Sequence, residues 1–208
     1  TGLQNNPTTV NNVETLLWAV SILDKGAAWF KGFGTEKSPG LKIFSVSGDC
    51  KKPGIYEYPL GTKISKMLAD VGGSDAKAVQ IGGASGVCVP ASQFERKMAF
   101  EDVATGGSVM VIGKDRCMIS VAKNFLEFFA DESCGQCTPC RVGTTKLLEG
   151  VEKMEKCECS INHLNEMLKL GETMQLASKC GLGQSAPNAL ASIAVNFKNE
   201  IMGHCSSN

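Results

Sequence analysis

The chain has 208 residues, of which 43% are hydrophobic and 20% charged, a globular composition with room for one large or two small cores. Its 21 basic and 21 acidic residues give a formal net charge of zero, and no cluster of Lys and Arg provides the electrostatic footprint that nucleic acid requires. No apolar run nears the roughly 20 residues of a membrane span, so direct membrane insertion is excluded as well. Ten cysteines with no signal peptide, behind a polar Thr1-Gly-Leu-Gln-Asn-Asn-Pro7 start, fit a reducing compartment better than a disulfide framework.

From the N-terminus, Asn11 with Glu14 three residues on reads as a capping-box-like start for an amphipathic helix over 13–23. A Gly-rich connector over 26–40 contains the turn signal Lys37-Ser-Pro-Gly40. Residues 41–47 and 55–60 are strand-like and are separated by Gly48-Asp-Cys-Lys-Lys-Pro-Gly54, a hairpin loop. Ile64, Met67, Leu68 and Val71 recur at helical spacing and stop at Gly72-Gly73. Short apolar runs at 78–81, 87–89 and 109–112 read as further strands. Two strands, a helix and more short strands is the order of a β-grasp, ubiquitin-like domain. Cys50, Cys88 and Cys117 read as small core or edge residues, and Gly82-Gly-Ala-Ser-Gly86 as a turn between strands.

Beyond residue 114 the pattern turns helical. Asp115 stands where it would cap a helix over 117–130, with Met118, Val121, Ala122, Phe125, Phe128 and Phe129 as its apolar stripe. Thr138 as N-cap and Pro139 as first helical residue begin a second helix, carrying Val142, Leu147, Leu148, Val151 and Met154. Ser160 caps a third, with Ile161, Leu164, Leu168 and Leu176. Pro187 opens a fourth, with Leu190, Ile193, Ala194, Phe197 and Ile201. The expected fold is α+β: a β-grasp domain over 41–114, then a four-helix bundle over 115–208.

The most informative residues lie in two loops of that helical part. Cys134-Gly-Gln-Cys137-Thr-Pro-Cys140 with a distant Cys180 has the arithmetic of a four-iron iron–sulfur (4Fe–4S) cluster, in which three thiolates from one tight loop each hold a corner and a remote thiolate closes the fourth. Structural zinc and unligated thiols are the alternatives at this point, although zinc usually takes two separated knuckles and the second segment offers a single Cys. A zinc site would make the chain a β-grasp binding module with stapled helices, without a redox role. The start of the second helix would turn unpaired amides toward an anionic cluster, Arg141 adds a positive charge, and Gly135, Gly181 and Gly183 permit close backbone approach to sulfur.

Other signals are discounted. Gly181-Leu-Gly-Gln-Ser-Ala186 fits a dinucleotide fingerprint but follows a cysteine loop rather than a strand. Cys157-Glu-Cys159 reads as solvated thiols, and His163 and His204 as surface residues without partners at metal-binding spacing.

Glu132-Ser-Cys-Gly-Gln-Cys-Thr-Pro-Cys-Arg-Val-Gly143 resembles the Glu-Ser-Cys-Gly-x-Cys-x-Pro-Cys-Arg-x-Gly signature of the NADH-oxidising flavoprotein subunit of respiratory complex I, the NuoF family. Cys180-Gly-Leu-Gly-Gln-Ser-Ala-Pro-Asn188 resembles that family's second cluster segment. The subunit type also occurs in NAD(P)-linked hydrogenases and formate dehydrogenases, so the motifs name the subunit and not the complex. The resemblance runs from about Pro7 to the C-terminus. It implies an electron-relay module that passes single electrons from FMN through a 4Fe–4S cluster to partner subunits, and a soluble-ligand-binding kind of β-grasp domain. It further implies that an FMN- and NADH-binding domain precedes Thr1, that residues 1–40 are the remnant of that domain, and that this chain alone is inactive. Asn5-Asn-Pro-Thr-Thr-Val-Asn-Asn-Val-Glu-Thr15 resembles the segment closing over the flavin, so Asn11, Asn12 and Thr15 would touch FMN in the intact subunit. Implied partners are a small ferredoxin-like 2Fe–2S subunit and the iron–sulfur subunits of a multisubunit oxidoreductase, in the cytoplasm or peripheral to the inner membrane through those subunits.

Overall fold

The computed structural model describes residues 1–206. Helices α1 (Val13–Lys25) and α2 (Ala27–Lys31) come first, and neither carries a buried residue. The cap of α1 is Asn12, whose side chain accepts from the Glu14 N–H at 2.8 Å, one residue later than the sequence suggested. Glu14 does not turn back to complete a box. Its carboxylate instead reaches forward to the Ile43 N–H at 2.7 Å and pairs with Lys42, pinning α1 to the first strand.

The sheet has five strands: β1 (Leu41–Gly48), β2 (Gly54–Pro59), β4 (Ala78–Ile81), β5 (Val87–Pro90) and β7 (Ser108–Ile112). They lie in the order β2-β1-β7-β4-β5. The β1/β2 hairpin and the β4/β5 and β4/β7 pairs are antiparallel, while β1 and β7 run parallel at the centre, with Val46 opposite Val109. A separate short pair joins β3 (Thr62–Lys63) to β6 (Lys97–Met98). Helix α3 (Ile64–Val71) buries Ile64, Met67, Leu68 and Val71 against Phe44, Val46, Val79 and Val109. It ends at Gly72, whose left-handed φ of 68° is the helix stop read from the sequence.

The remaining elements are α4 (Met118–Glu132), α5 (Thr138–Glu155), α6 (Ile161–Ala177), α7 (Gly181–Ser185), α8 (Asn188–Asn196) and α9 (Lys198–Gly203), plus the parallel pair β8 (Cys159–Ser160) and β9 (Cys205–Ser206). Their core contains Met118, Leu126, Phe129, Leu147, Val151, Met154, Leu190 and Ile193, and it includes Ala78, Cys88 and Ile112 from the sheet. Burial of each large side chain contributes about 1.5–3 kcal/mol. The sheet therefore contributes to two cores. Helix α8 covers the edge strand β5, with Ser192 Oγ accepting from the Cys88 N–H at 2.9 Å and Asn196 Nδ2 donating to Cys88 O at 3.0 Å.

Several local expectations shift, each for a physical reason. Asp115 does not cap α4. The orphan Met118 N–H is satisfied by Glu200 of α9 at 2.8 Å, a partner 82 residues away that no local pattern reveals. Ser160 does cap α6, accepting from His163 N at 3.2 Å. The last helix breaks at Phe197, which takes φ −122° and ψ 36°, so one expected helix becomes α8 and α9. Val142, Phe128 and Leu176 of the expected stripes are exposed. Among the described residues no helix is long and apolar enough to cross a membrane.

Candidate metal centre

The loop of residues 133–137 joins α4 to α5, and its geometry follows from its residues. Gly135 takes φ 73°, a left-handed turn that a side chain would strain. Ser133 Oγ accepts from Gly135 N at 3.3 Å and lies 3.3 Å from Cys140 Sγ, and Arg141 Nη1 clasps Gly135 O at 2.6 Å. Arg141 therefore braces the loop as well as adding charge. The helix begins one residue earlier than Thr138 and Pro139 suggest. Cys137 itself is the N-cap, Thr138 is the first helical residue and Pro139 the second. The amides at the start of this 18-residue helix thus surround the second thiol.

The distant segment folds onto this loop. Cys137 has its thiol pKa lowered because the Lys179 N–H, first in influence, and the Cys140 N–H donate to its sulfur. Lys179 is the neighbour of Cys180. Gly183 closes the same gap from α7, where an added Cβ would lie 2.8 Å from Cys140 Cβ and 2.5 Å from Ser178 Oγ. Gly181, by contrast, has open space where a Cβ would project and needs no such freedom. Cys140 is buried, Cys137 half-buried, and Cys134 and Cys180 exposed. Short α7, with Cys180 as its N-cap, is an element the sequence reading missed.

Among the described residues no three Cys, His, Asp or Glu side chains converge on one point as ligands of a single ion. A tetrahedral zinc needs its sulfurs about 2.3 Å from one centre. A four-iron cluster is different, because each thiolate binds its own corner iron and the sulfurs stay spread apart. The fit to a cluster rests on three observations: amides aimed at Cys137, the Cβ-free approach at Gly183, and a buried Ser178 hydroxyl lacking a hydrogen-bond partner.

The other thiols are rearranged relative to the sequence reading. Cys159 is fully buried, and burial, then the adjacent Cys205 thiol, pushes its pKa up to about 11. Cys157 is exposed. His204 is half-buried, with Cys117 Sγ 3.7 Å from Nε2 and Cys157 Sγ 4.0 Å from Nδ1. It is not the partnerless surface residue expected. His163 is partly exposed, with Nδ1 3.7 Å from Glu166 Oε2 and only its Nε2 buried. Cys88 matches its core reading, with burial lifting its thiol to about 12. Asn11, Asn12 and Thr15 stand exposed around the start of α1, with the Asn12 oxygen already used as the cap. Ser133, Ser178 and Lys179 lie beside the candidate ligands although the sequence reading gave them no role. Ser133 stands in the quoted signature, while only their nearness to Cys180 could have flagged Ser178 and Lys179.

The segment after Cys180 packs against the three-cysteine loop, with Gly183 beside Cys140, and residues 120–204 match the family described as the NADH-ubiquinone oxidoreductase-F iron-sulfur binding region. The chain's homologues are NuoF-like proteins and their hydrogenase counterparts, as its signature indicated, and the cluster of the matched iron-sulfur region is of the 4Fe–4S type. It is 38% identical over 208 residues to the NAD-reducing hydrogenase HoxS subunit alpha of Cupriavidus necator, covering 98% of this chain and 35% of that protein. It is 37% identical to the NADP-reducing hydrogenase subunit HndC of Solidesulfovibrio fructosivorans (98% and 44%) and 35% identical to an F-type subunit of the NADH-quinone oxidoreductase of Rhizobium meliloti (98% and 51%). The crystal structure of an NAD+-reducing [NiFe]-hydrogenase in the H2-reduced state superposes with a TM-score of 0.93 at 38% identity, covering 97% of this chain and 36% of that one. The chain thus spans between about a third and a half of the length of these relatives.

Proposed function

We propose that the chain is the electron-relay part of an NAD(P)H:acceptor oxidoreductase subunit, with Cys134, Cys137, Cys140 and Cys180 as the four thiolate ligands. The observation that carries this reading is the packing of the segment after Cys180 onto the three-cysteine loop, where a Cβ added at Gly183 would lie 2.8 Å from Cys140 Cβ, which joins two segments more than 40 residues apart at the cysteines that the spacing singled out. A bound 4Fe–4S cluster supplies a centre that takes up and returns one electron. The residues of the chain do the rest. Donors from Lys179 and Cys140 stabilise negative charge on the Cys137 sulfur, the α5 N-terminus adds its positive dipole end, and buried Cys140 limits water at one corner.

In the intact subunit, Asn11, Asn12 and Thr15 would line one side of an FMN site, and the flavin would supply hydride-accepting chemistry. Exposed Leu16, Leu17, Val20 and Leu23 on α1 support a covering domain there. The sheet order, its parallel central pair and the single helix across it support a β-grasp reading, and α4, α5, α6 and α8 support a four-helix bundle. A small 2Fe–2S subunit and further iron–sulfur subunits are the proposed electron acceptors. This chain alone would be inactive toward NAD(P)H, and any membrane attachment would run through partners.

Anaerobic reconstitution tests the reading. About four irons and four sulfides per chain, a brown colour and a paramagnetic signal on reduction are expected. A colourless protein holding one zinc would overturn it in favour of a stapled binding module.

A further inference from the structure

Ser178 follows the last turn of α6 and is 5% exposed. Its main chain is satisfied, since its N–H donates to Met174 O at 3.0 Å and its C=O accepts from Gln184 Nε2 at 2.9 Å. Its hydroxyl is not, and it has no hydrogen-bond partner among the described residues. A buried hydroxyl without a partner costs about 1–3 kcal/mol. The hydroxyl and the Cys140 Cβ flank the same spot, the space kept empty by Gly183, and Cys180 lies two residues further along the chain. Cys140 and Cys180 are both proposed ligands, and their sulfurs accept hydrogen bonds once they are thiolates.

We propose that Ser178 Oγ–H donates a hydrogen bond to sulfur at the cluster site, to the Cys140 thiolate or the inorganic sulfide beside it, and so raises the reduction potential of the bound cluster. The proposal rests on the cluster reading above. Reduction adds negative charge to the sulfurs, and a donor held against them stabilises the reduced state more than the oxidised one. Removing the oxygen leaves the close approach at Gly183 intact, which separates this role from packing.

The test is a potentiometric titration, followed by electron paramagnetic resonance, of the reconstituted full chain as wild type, S178A and S178T. Wild type and S178A should load equal iron and sulfide. S178A should titrate at a more negative midpoint potential, and S178T should return toward wild type. An unchanged midpoint in a fully loaded S178A overturns the proposal. Failure of wild type to load any cluster would instead overturn the function proposed above. Should S178A not load, a structure of the loaded wild type decides, since Oγ within hydrogen-bonding distance of sulfur supports the proposal and Oγ turned to water or a carbonyl overturns it.

Discussion

At the level of single residues, the candidate metal centre is packed around side chains that are small or absent as well as around its thiols. Gly183→Ala would drive a methyl against Cys140 Cβ and Ser178. We expect it to cost about 1–3 kcal/mol, typical of overpacking, and to lower iron content on reconstitution. A melting curve and an iron assay on the same sample check both. Cys88 makes the opposite case. It is 1% exposed and its thiol is held near pKa 12, so it should resist iodoacetamide in the native protein at pH 8 and react only on unfolding, as peptide mapping would reveal. Labelling of native Cys88 at the rate of exposed Cys157 would contradict this.

Elements meet through equally specific choices. Helices α5 and α6 approach closely at Gly143 and Gly150, where an added Cβ would come within 2.4 Å of Met174 Sδ and 2.5 Å of Met167 Sδ. Alanine gains about 1 kcal/mol of helix propensity over glycine. The displaced Met174 is fully buried and has little room to move, so Gly143→Ala should still be destabilising, by a net 1 kcal/mol or so, in urea denaturation. An increase in stability would mean that the methionine repacks freely. At the N-terminus of α6, Ser160→Ala removes a cap bond and should cost about 1 kcal/mol.

Over the whole molecule, the sheet and the helices are joined by packing and by a few charged links. Asp49 at the end of β1 accepts from Gly113 N at 2.9 Å and takes a two-point clasp from Arg116 just before α4. Hydrogen bonds from Arg116, then from Gly113, lower its pKa from 3.8 to about 2. A carboxyl lowered on folding stabilises fully above its unfolded value, and the gain fades as pH falls through about 2. The pair is solvent-exposed, so its worth is about 0.5–1 kcal/mol. Urea melts of wild type and D49N should differ by that amount at pH 6 and converge near pH 2. The proposed cluster acts on the same scale. Because its proposed ligand thiolates come from two distant segments, Cys180→Ser should loosen residues 179–184 and the start of α8 in hydrogen exchange. Equal protection there in loaded wild type and variant would show that the cluster does not organise this region.

The sequence by itself determined what is local or chemical. Cysteine spacing and the flanking signature identified the iron–sulfur family, and periodicity located α3, the sheet strands and Ser160 as a cap, because each depends on residues a few positions apart. The tertiary structure decided what depends on partners far away in sequence. Glu200 rather than Asp115 satisfies the start of α4, α8 rather than solvent lines the β5 edge, Cys159 is buried rather than solvated, and Ser178 lies beside Cys140. The physical reason is the same in each case. An orphan amide, a strand edge or a buried hydroxyl must find a complement, and no local pattern says which distant residue folding will bring to it.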